Sequence, residues 1–133
     1  MNVKIKVRVS ETDLLGHINN KSYFDYIEES RNDFYISANI PLDDTYTFIL
    51  AKVCCTFLQQ GYFGETLHLE TYPREIGHKS ATLVTKIYKD EKKELIAKGE
   101  SIVVYFDLKK QISLQIPEEI KEILLRYRRE EYD

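Results

Sequence analysis

S-E-T-D-L-L-G-H-I-N-N-K-S-Y-F-D-Y-I-E-E-S-R-N-D-F-Y-I-S-A (residues 10–38) decides how the rest of this chain is read. The stretch opens as a polar loop, with Gly16 suited to a positive φ or a close backbone approach. It then turns into the strongest helical pattern in the sequence. At about 100° per residue, Tyr23, Ile27, Ser30 and Phe34 fall within a sector of roughly 60°, and Ser37 and Ala38 extend it. Asp25, Glu28, Glu29 and Asn32 fall on the opposite side. Asn19 or Asn20 suits the N-cap, because a short side-chain oxygen accepts from the free N–H groups of the first turn. Asn39, before Ile40 and Pro41, suits a left-handed C-cap. The result is an amphipathic helix of about five turns, broad enough on its apolar side to lie against a sheet.

Working outward, the pattern changes to that of strands. Residues 3–9 alternate Val3, Ile5, Val7 and Val9 against Lys4, Lys6 and Arg8, a half-buried strand with a basic face. After a loop at 41–47, apolar or alternating runs follow at 48–58, 66–72, 80–88 and 95–106, with Gly61, Gly64 and Gly77 between them. Pro73 to His78 reads as a connection and residues 90–94 as a charged turn. Gly99 interrupts the last run, where a bulge is expected. Short links favour antiparallel pairing of the four. Pro117 opens a short C-terminal helix with Ile120, Ile123, Leu124 and Tyr127 inward, and Arg126, Arg128, Arg129, Glu130 and Glu131 form its solvated end. The expected fold is α+β: one antiparallel sheet curled over one long helix, in the order strand, helix, four strands, with a short helix after them.

The 133 residues predict a single domain spanning 1–133, and 43% hydrophobic with 31% charged residues is the balance of a soluble globular domain. With 19 basic and 22 acidic residues, a net of −3, no global charge points to nucleic acid or to an anionic membrane surface. No run approaches the ~20 apolar residues of a membrane span, and the N-terminus resembles no targeting peptide. Cys54 and Cys55 are adjacent, so on a strand they point to opposite faces and cannot pair with each other. They read as reduced residues of a cytoplasmic protein.

Asp13 is the first candidate for chemistry. An aspartate in such a loop commonly makes an Asx turn. It also stands seven residues before Asn20, where the helix begins. A helix N-terminus offers unpaired N–H donors and positive partial charge, which suit the oxyanion formed when a carbonyl is attacked. A nearby carboxylate is placed to deprotonate water or to attack directly. His17 either lines such a site or caps and orders the loop. His17, His68 and His78 lack ligand-like spacing, so no metal site is expected. Glu28 and Glu29 lie off the apolar stripe and read as solvated or interface-facing. Lys79, His78 and Ser80, beside Gly77, form the best local anion site, with a solvated hairpin entry as the alternative.

Asp13, Gly16, His17, Asn19, Asn20 and Tyr23 spell D-x-x-G-H-x-N-N-x-x-Y between a strand and a long helix. This motif resembles the hotdog-fold acyl-CoA thioesterases of the 4-hydroxybenzoyl-CoA thioesterase type, and the element order extends the resemblance over nearly the whole chain. The resemblance implies hydrolysis of a thioester, with Asp13 as the catalytic carboxylate and the backbone amide of Asn20 as the oxyanion donor. It places Lys79, and with it His78 and Ser80, on CoA, which is part of the substrate; no further cofactor is implied. It also implies a homodimer or homotetramer with sites at the subunit interface. The G-H-I-N-N tail departs from the aromatic-acyl members and points to aliphatic acyl groups. Tyr23, Tyr26, Phe57 and Tyr62 are aromatic candidates for the acyl pocket. The competing readings are an acyl-carrier-protein thioesterase, docking its partner through Lys79 or the basic C-terminal end, and a non-catalytic module that binds acyl-CoA.

Overall fold

The structure, a computed structural model, describes residues 2–89 and 93–130. The long helix α1 runs Asn20–Ser37. Asn19 is its N-cap, in extended backbone with φ −65° and ψ 136°, and its side chain accepts from the Lys21 N–H; such a cap is worth about 1 kcal/mol. The helix stops at Ala38, and Asn39 follows at φ 57°, a conformation that Asn tolerates better than most residues. Tyr23, Ile27, Ser30, Phe34 and Ala38 are all buried, as the periodicity predicts, whereas Ser37 is exposed. Ser30 and Arg31 on the buried side find partners. Ser30 Oγ lies 2.7 Å from Thr71 Oγ1, which lies 2.7 Å from Thr85 Oγ1, and Arg31 Nη1 donates to Ser101 Oγ at 3.1 Å. Satisfying buried polar groups in this way avoids their desolvation cost.

The strands are β1 (Asn2–Lys6), β2 (Tyr46–Phe57), β3 (Thr66–Ile76), β4 (Ser80–Lys89), β5 (Glu94–Asp107) and the short β6 (Ile112–Ser113); helix α2 spans Glu118–Tyr127. All pairings are antiparallel, in the order β1-β3-β4-β5-β2, with β6 beside β5. The α+β architecture of one antiparallel sheet over a long helix is therefore as the sequence predicts. The expectation of four strands paired in succession holds only for the β3-β4-β5 meander. β2 leaves the meander and takes the far edge beside β5, so residues 58–65 cross the end of the sheet.

Four local expectations are corrected. β1 ends at Lys6 because residues 9–11 form a 3-10 turn, which leaves Val9 72% exposed instead of inward. β3 runs on through Pro73 to Ile76. β1 pairs only as far as Glu70, so beyond it that side of β3 is an edge, where proline is tolerated, and the register shifts between Pro73 and Glu75. Pro117 is the residue before α2 rather than its first helical position. Gly99 sits in regular register, opposite Cys55 and Thr85, and the register shifts fall elsewhere. The glycine is there for the helix: a Cβ would meet Ile27 Cδ1 at 2.5 Å and Ile27 Cγ1 at 2.8 Å. The turn expected at 90–94 falls partly on Asp90, Glu91 and Lys92, which lie outside the described residues, as does Glu131.

Two apolar clusters hold α1 along its length. One gathers Ile5, Val7, Ile18, Leu67, Leu69, Ile87 and Ile96 around Ile27. The other gathers Leu83, Val103, Ile116, Ile120 and Leu124 around Phe34, which brings the inner face of α2 onto the same core. With Tyr23 and Ile27 buried against the first cluster, the helix N-terminus is fixed instead of fraying.

Candidate active site

The loop before α1 is a small hairpin. Glu11 O accepts the Asn19 N–H at 2.8 Å, His17 O accepts the Asp13 N–H at 2.8 Å, and Thr12 bridges Ile18 between them. Gly16 closes the turn at φ 80°, where a side chain would be strained. A third strand-like segment, residues 61–63, zips onto the other side. Ile18 N–H donates to Gly61 O, Phe63 N–H to Gly16 O, and His17 bridges Tyr62. A Cβ at Gly61 would press on the end of the Ile18 side chain, which would have to shift. Sequence reading sees the two segments as unrelated loops; their pairing is a tertiary fact.

Asp13 makes the Asx turn that its position suggests. Its Oδ1 accepts from the Leu15 N–H at 2.9 Å and the His17 N–H at 3.1 Å, an Asx turn extended by one amide. Its Oδ2 has no hydrogen bond among the described residues. Asp13, His17, Ile18, Asn19, Asn20 and Gln60 line one open cavity of about 280 Å³. The Lys21 N–H is taken by the Asn19 side chain and the Ser22 N–H by Asn19 O. The Asn20 N–H, first in the helix, has no acceptor among the described residues. Asp13 and the residue that carries this free helix-terminal donor therefore line one cavity.

His17 lines that cavity and packs edge-to-face on Tyr62, with ring centroids 4.9 Å apart. Tyr23 is buried and packs edge-to-face on Phe57 at 5.1 Å. Tyr26 is buried beside Tyr23, with ring centroids 6.0 Å apart, and its hydroxyl donates to Glu11 Oε1; it does not line the Asp13 cavity. Glu28 and Glu29 are exposed and flank a polar groove on the outer side of α1. Gln60 is a site-lining residue that sequence reading misses, since no spacing ties it to the motif. Lys89 holds its segment in place, with Nζ 3.3 Å from Gln60 O and 3.6 Å from Glu94 Oε2.

Lys79, His78 and Ser80 lie elsewhere in the chain. They form the β3–β4 turn, where Gly77 N–H donates to Ser80 O, Tyr105 N–H to Lys79 O and Ile116 N–H to His78 O. Ser80 and Lys89 are opposite ends of β4, and nine residues of strand span roughly 30 Å. One chain thus separates this turn from the Asp13 cavity. At the basic C-terminal end, Arg128 donates to Arg74 O and pairs with Glu130, and Arg129 pairs with Glu70 and stacks on Tyr72. Among the described residues no group of three His, Cys, Asp or Glu side chains is placed to hold a metal ion, and no helix is long and apolar enough to cross a membrane.

Comparison with known proteins places the chain in a family. The long-chain acyl-CoA thioesterase FadM of Escherichia coli is 24% identical over 132 residues, covering 93% of this chain and 96% of that protein. The uncharacterized protein YsmA of Bacillus subtilis is 35% identical over 81 residues, covering 60% of this chain and 55% of that protein's length. The structure of a predicted thioesterase from Bacillus stearothermophilus superposes with a TM-score of 0.87 at 25% identity, covering 98% of each chain. The sequence profile of the Thioesterase-like superfamily matches residues 7–124, from the end of β1 into α2 and across the whole Asp13 loop, and the chain belongs to that superfamily.

Proposed function

We propose that the protein hydrolyses acyl-CoA thioesters, of aliphatic acyl groups, to the free acid and CoA. One observation carries the reading. Asp13 has one oxygen tied by the Leu15 and His17 amides and the other free, and it shares a cavity with the unpaired Asn20 N–H. The tied oxygen orients the carboxylate, and the free one is the base. Asp13 takes a proton from water, and the hydroxide adds to the thioester carbonyl carbon. The resulting oxyanion accepts from the Asn20 N–H, at the positive end of α1. Collapse breaks the C–S bond, and the leaving thiolate takes the proton from Asp13. Direct attack by Asp13, giving a mixed anhydride that water then opens, uses the same geometry. His17 forms a wall of the cavity.

The test is Asp13→Asn, followed by thiol release over a panel of acyl-CoA chain lengths. Loss of the base should lower kcat by about 10²-fold or more with melting temperature retained. Wild-type turnover by this variant would refute the assignment.

A second copy of the chain completes this reading. Among the described residues β2 has a neighbour only on its β5 side, and Leu50 and Phe57 are exposed along it, with Leu58 exposed just past its end. Such an edge is a template for strand pairing. Antiparallel pairing of two β2 edges about a two-fold axis would set the β3–β4 turn of one copy at the Asp13 end of the other. Three strand spacings, about 14 Å, then separate that turn from β2, a gap that an extended CoA spans. Lys79, with His78 and Ser80, would contact CoA from the second copy. Sedimentation should give a dimer or a dimer of dimers, and Lys79→Ala should raise KM several-fold with kcat retained. A fully active monomer would overturn this arrangement.

A further inference from the structure

We propose that Glu11 is the positioning residue that sets the Asp13 loop against the N-terminus of α1, with the Tyr26 hydroxyl as its anchor on the helix. The inference rests on the role given to Asp13 above. Glu11 stands at the base of the small hairpin, two residues before Asp13, and every polar atom it has is engaged, its N–H donating to Arg8 O at 2.9 Å. Oε1 accepts from the Arg8 N–H at 2.9 Å and from the Tyr26 hydroxyl at 3.0 Å. Oε2 accepts from Arg8 Nε at 3.1 Å and Nη2 at 2.7 Å. Its carbonyl accepts the Asn19 N–H at 2.8 Å and the Ser22 hydroxyl at 3.3 Å. One residue thus ties together the end of β1, the N-cap and the second turn of the helix.

This is more than the staple of a short turn. Closing the 3-10 turn needs only the contacts to Arg8, three residues away. The Tyr26 contact spans 15 residues and is made by a side chain that is 2% exposed. The Glu11 side chain itself is 14% exposed, so its carboxylate depends on these donors. Between the two anchors, Glu11 and Asn19, the loop carries Asp13 on one limb and delivers Asn20 on the other. Their separation is therefore set by the Glu11 tie. Neither Glu11 nor Tyr26 lines the Asp13 cavity, so any effect on turnover must pass through position.

Three variants and two readouts test this. Tyr26→Phe removes only the helix anchor, Glu11→Gln keeps one acceptor oxygen and loses the fork on Arg8, and Glu11→Ala removes every side-chain contact while leaving the backbone carbonyl in place. Hydrogen exchange of the Leu15 and His17 amides, which Asp13 Oδ1 holds, should quicken at least tenfold in Tyr26→Phe and Glu11→Ala. A displacement of about 1 Å costs on the order of 10²-fold in rate, so kcat should fall about 10- to 100-fold, least in Glu11→Gln, with KM within about twofold. In an Asp13→Asn background the same substitutions should cost nothing further, because there is no base left to position. Unchanged exchange, wild-type kcat, or a loss that simply adds to that of Asp13→Asn overturns the proposal. Should Glu11→Ala not fold, Tyr26→Phe decides alone. If Asp13→Asn itself turns over at the wild-type rate, the thioesterase mechanism fails, whereas a slow Asp13→Asn beside a wild-type Tyr26→Phe refutes only the positioning role.

Discussion

Replacing Gly99 by alanine would test how closely the sheet carries its helix. An added Cβ would sit 2.5 Å from Ile27 Cδ1 and 2.8 Å from Cγ1, against an unstrained carbon–carbon separation of about 3.5–4.0 Å. The clash is with a side chain that is 0% exposed and closed in by the first core cluster. Ile27 therefore cannot swing clear, and α1 or β5 must give by about 1 Å. Overpacking of this kind costs about 1–3 kcal/mol. Unfolding entropy of about 2.1 cal/mol/K per residue over 133 residues converts that to a fall in melting temperature of about 4–11 °C. The assay is thermal unfolding of four proteins: wild type, Gly99→Ala, Ile27→Ala and the double variant. Ile27→Ala alone leaves a cavity and should cost about 2–5 kcal/mol. In the double variant the new methyl group enters that space, so its loss should be smaller than the sum of the single losses by at least about 1 kcal/mol. A Gly99→Ala protein as stable as wild type, or strict additivity, would refute the close-approach reading of this glycine.

Other expectations follow from the electrostatics and the strand faces. Burial pulls the Glu11 carboxyl upward, but hydrogen bonds from the Arg8 side chain and backbone and from Tyr26 outweigh it and hold the group below the ordinary carboxylate range. Ionised Glu11 therefore stabilises the fold above that range, and the contribution is lost as pH falls through the lowered value. Glu11→Gln should flatten the acid limb of a stability-against-pH curve, and an unaltered limb would contradict the assignment. Cys54 is exposed on β2, whereas burial pushes the half-buried Cys55 thiol up to about 11. Iodoacetamide near pH 8 should then label Cys54 well before Cys55, as peptide mapping would show; equal rates would argue against the alternation of faces along β2.

Much of this molecule is legible without coordinates. Helix α1 and its caps follow from short-range rules: a 3.6-residue period, an Asn that accepts from the first turn, and an Asn that tolerates positive φ before Ile40 and Pro41. The alternation that marks β1, β3, β4 and β5 is equally local. Asp13 and Asn20 stand out because a loop carboxylate and a helix start are both visible in sequence, and their proximity needs only seven residues of chain.

What the sequence does not contain is who lies beside whom. β2 reads like the strands after it, yet it pairs with β5 at the far edge, because strand pairing depends on partners 50 residues away and not on the pattern of the strand itself. Gly99 looks like a bulge because a strand glycine has several uses, and only the position of Ile27 selects among them. Gln60 enters the site because residues 61–63 zip onto 16–18 through backbone hydrogen bonds, which any side chains permit. Glu11 could belong to any turn until Tyr26 reaches it from the second turn of α1. Lys79 shows the converse: local chemistry makes it a candidate for holding an anion, while the length of β4 places it about 30 Å from the cavity in the same chain. The sequence alone determined the helix, the strands and the carboxylate at the start of α1, since each rests on residues within a turn or two. Tertiary structure alone decided the order of the strands, the wall of the cavity and the tie that holds the carboxylate, since each depends on segments that meet only when the chain is folded.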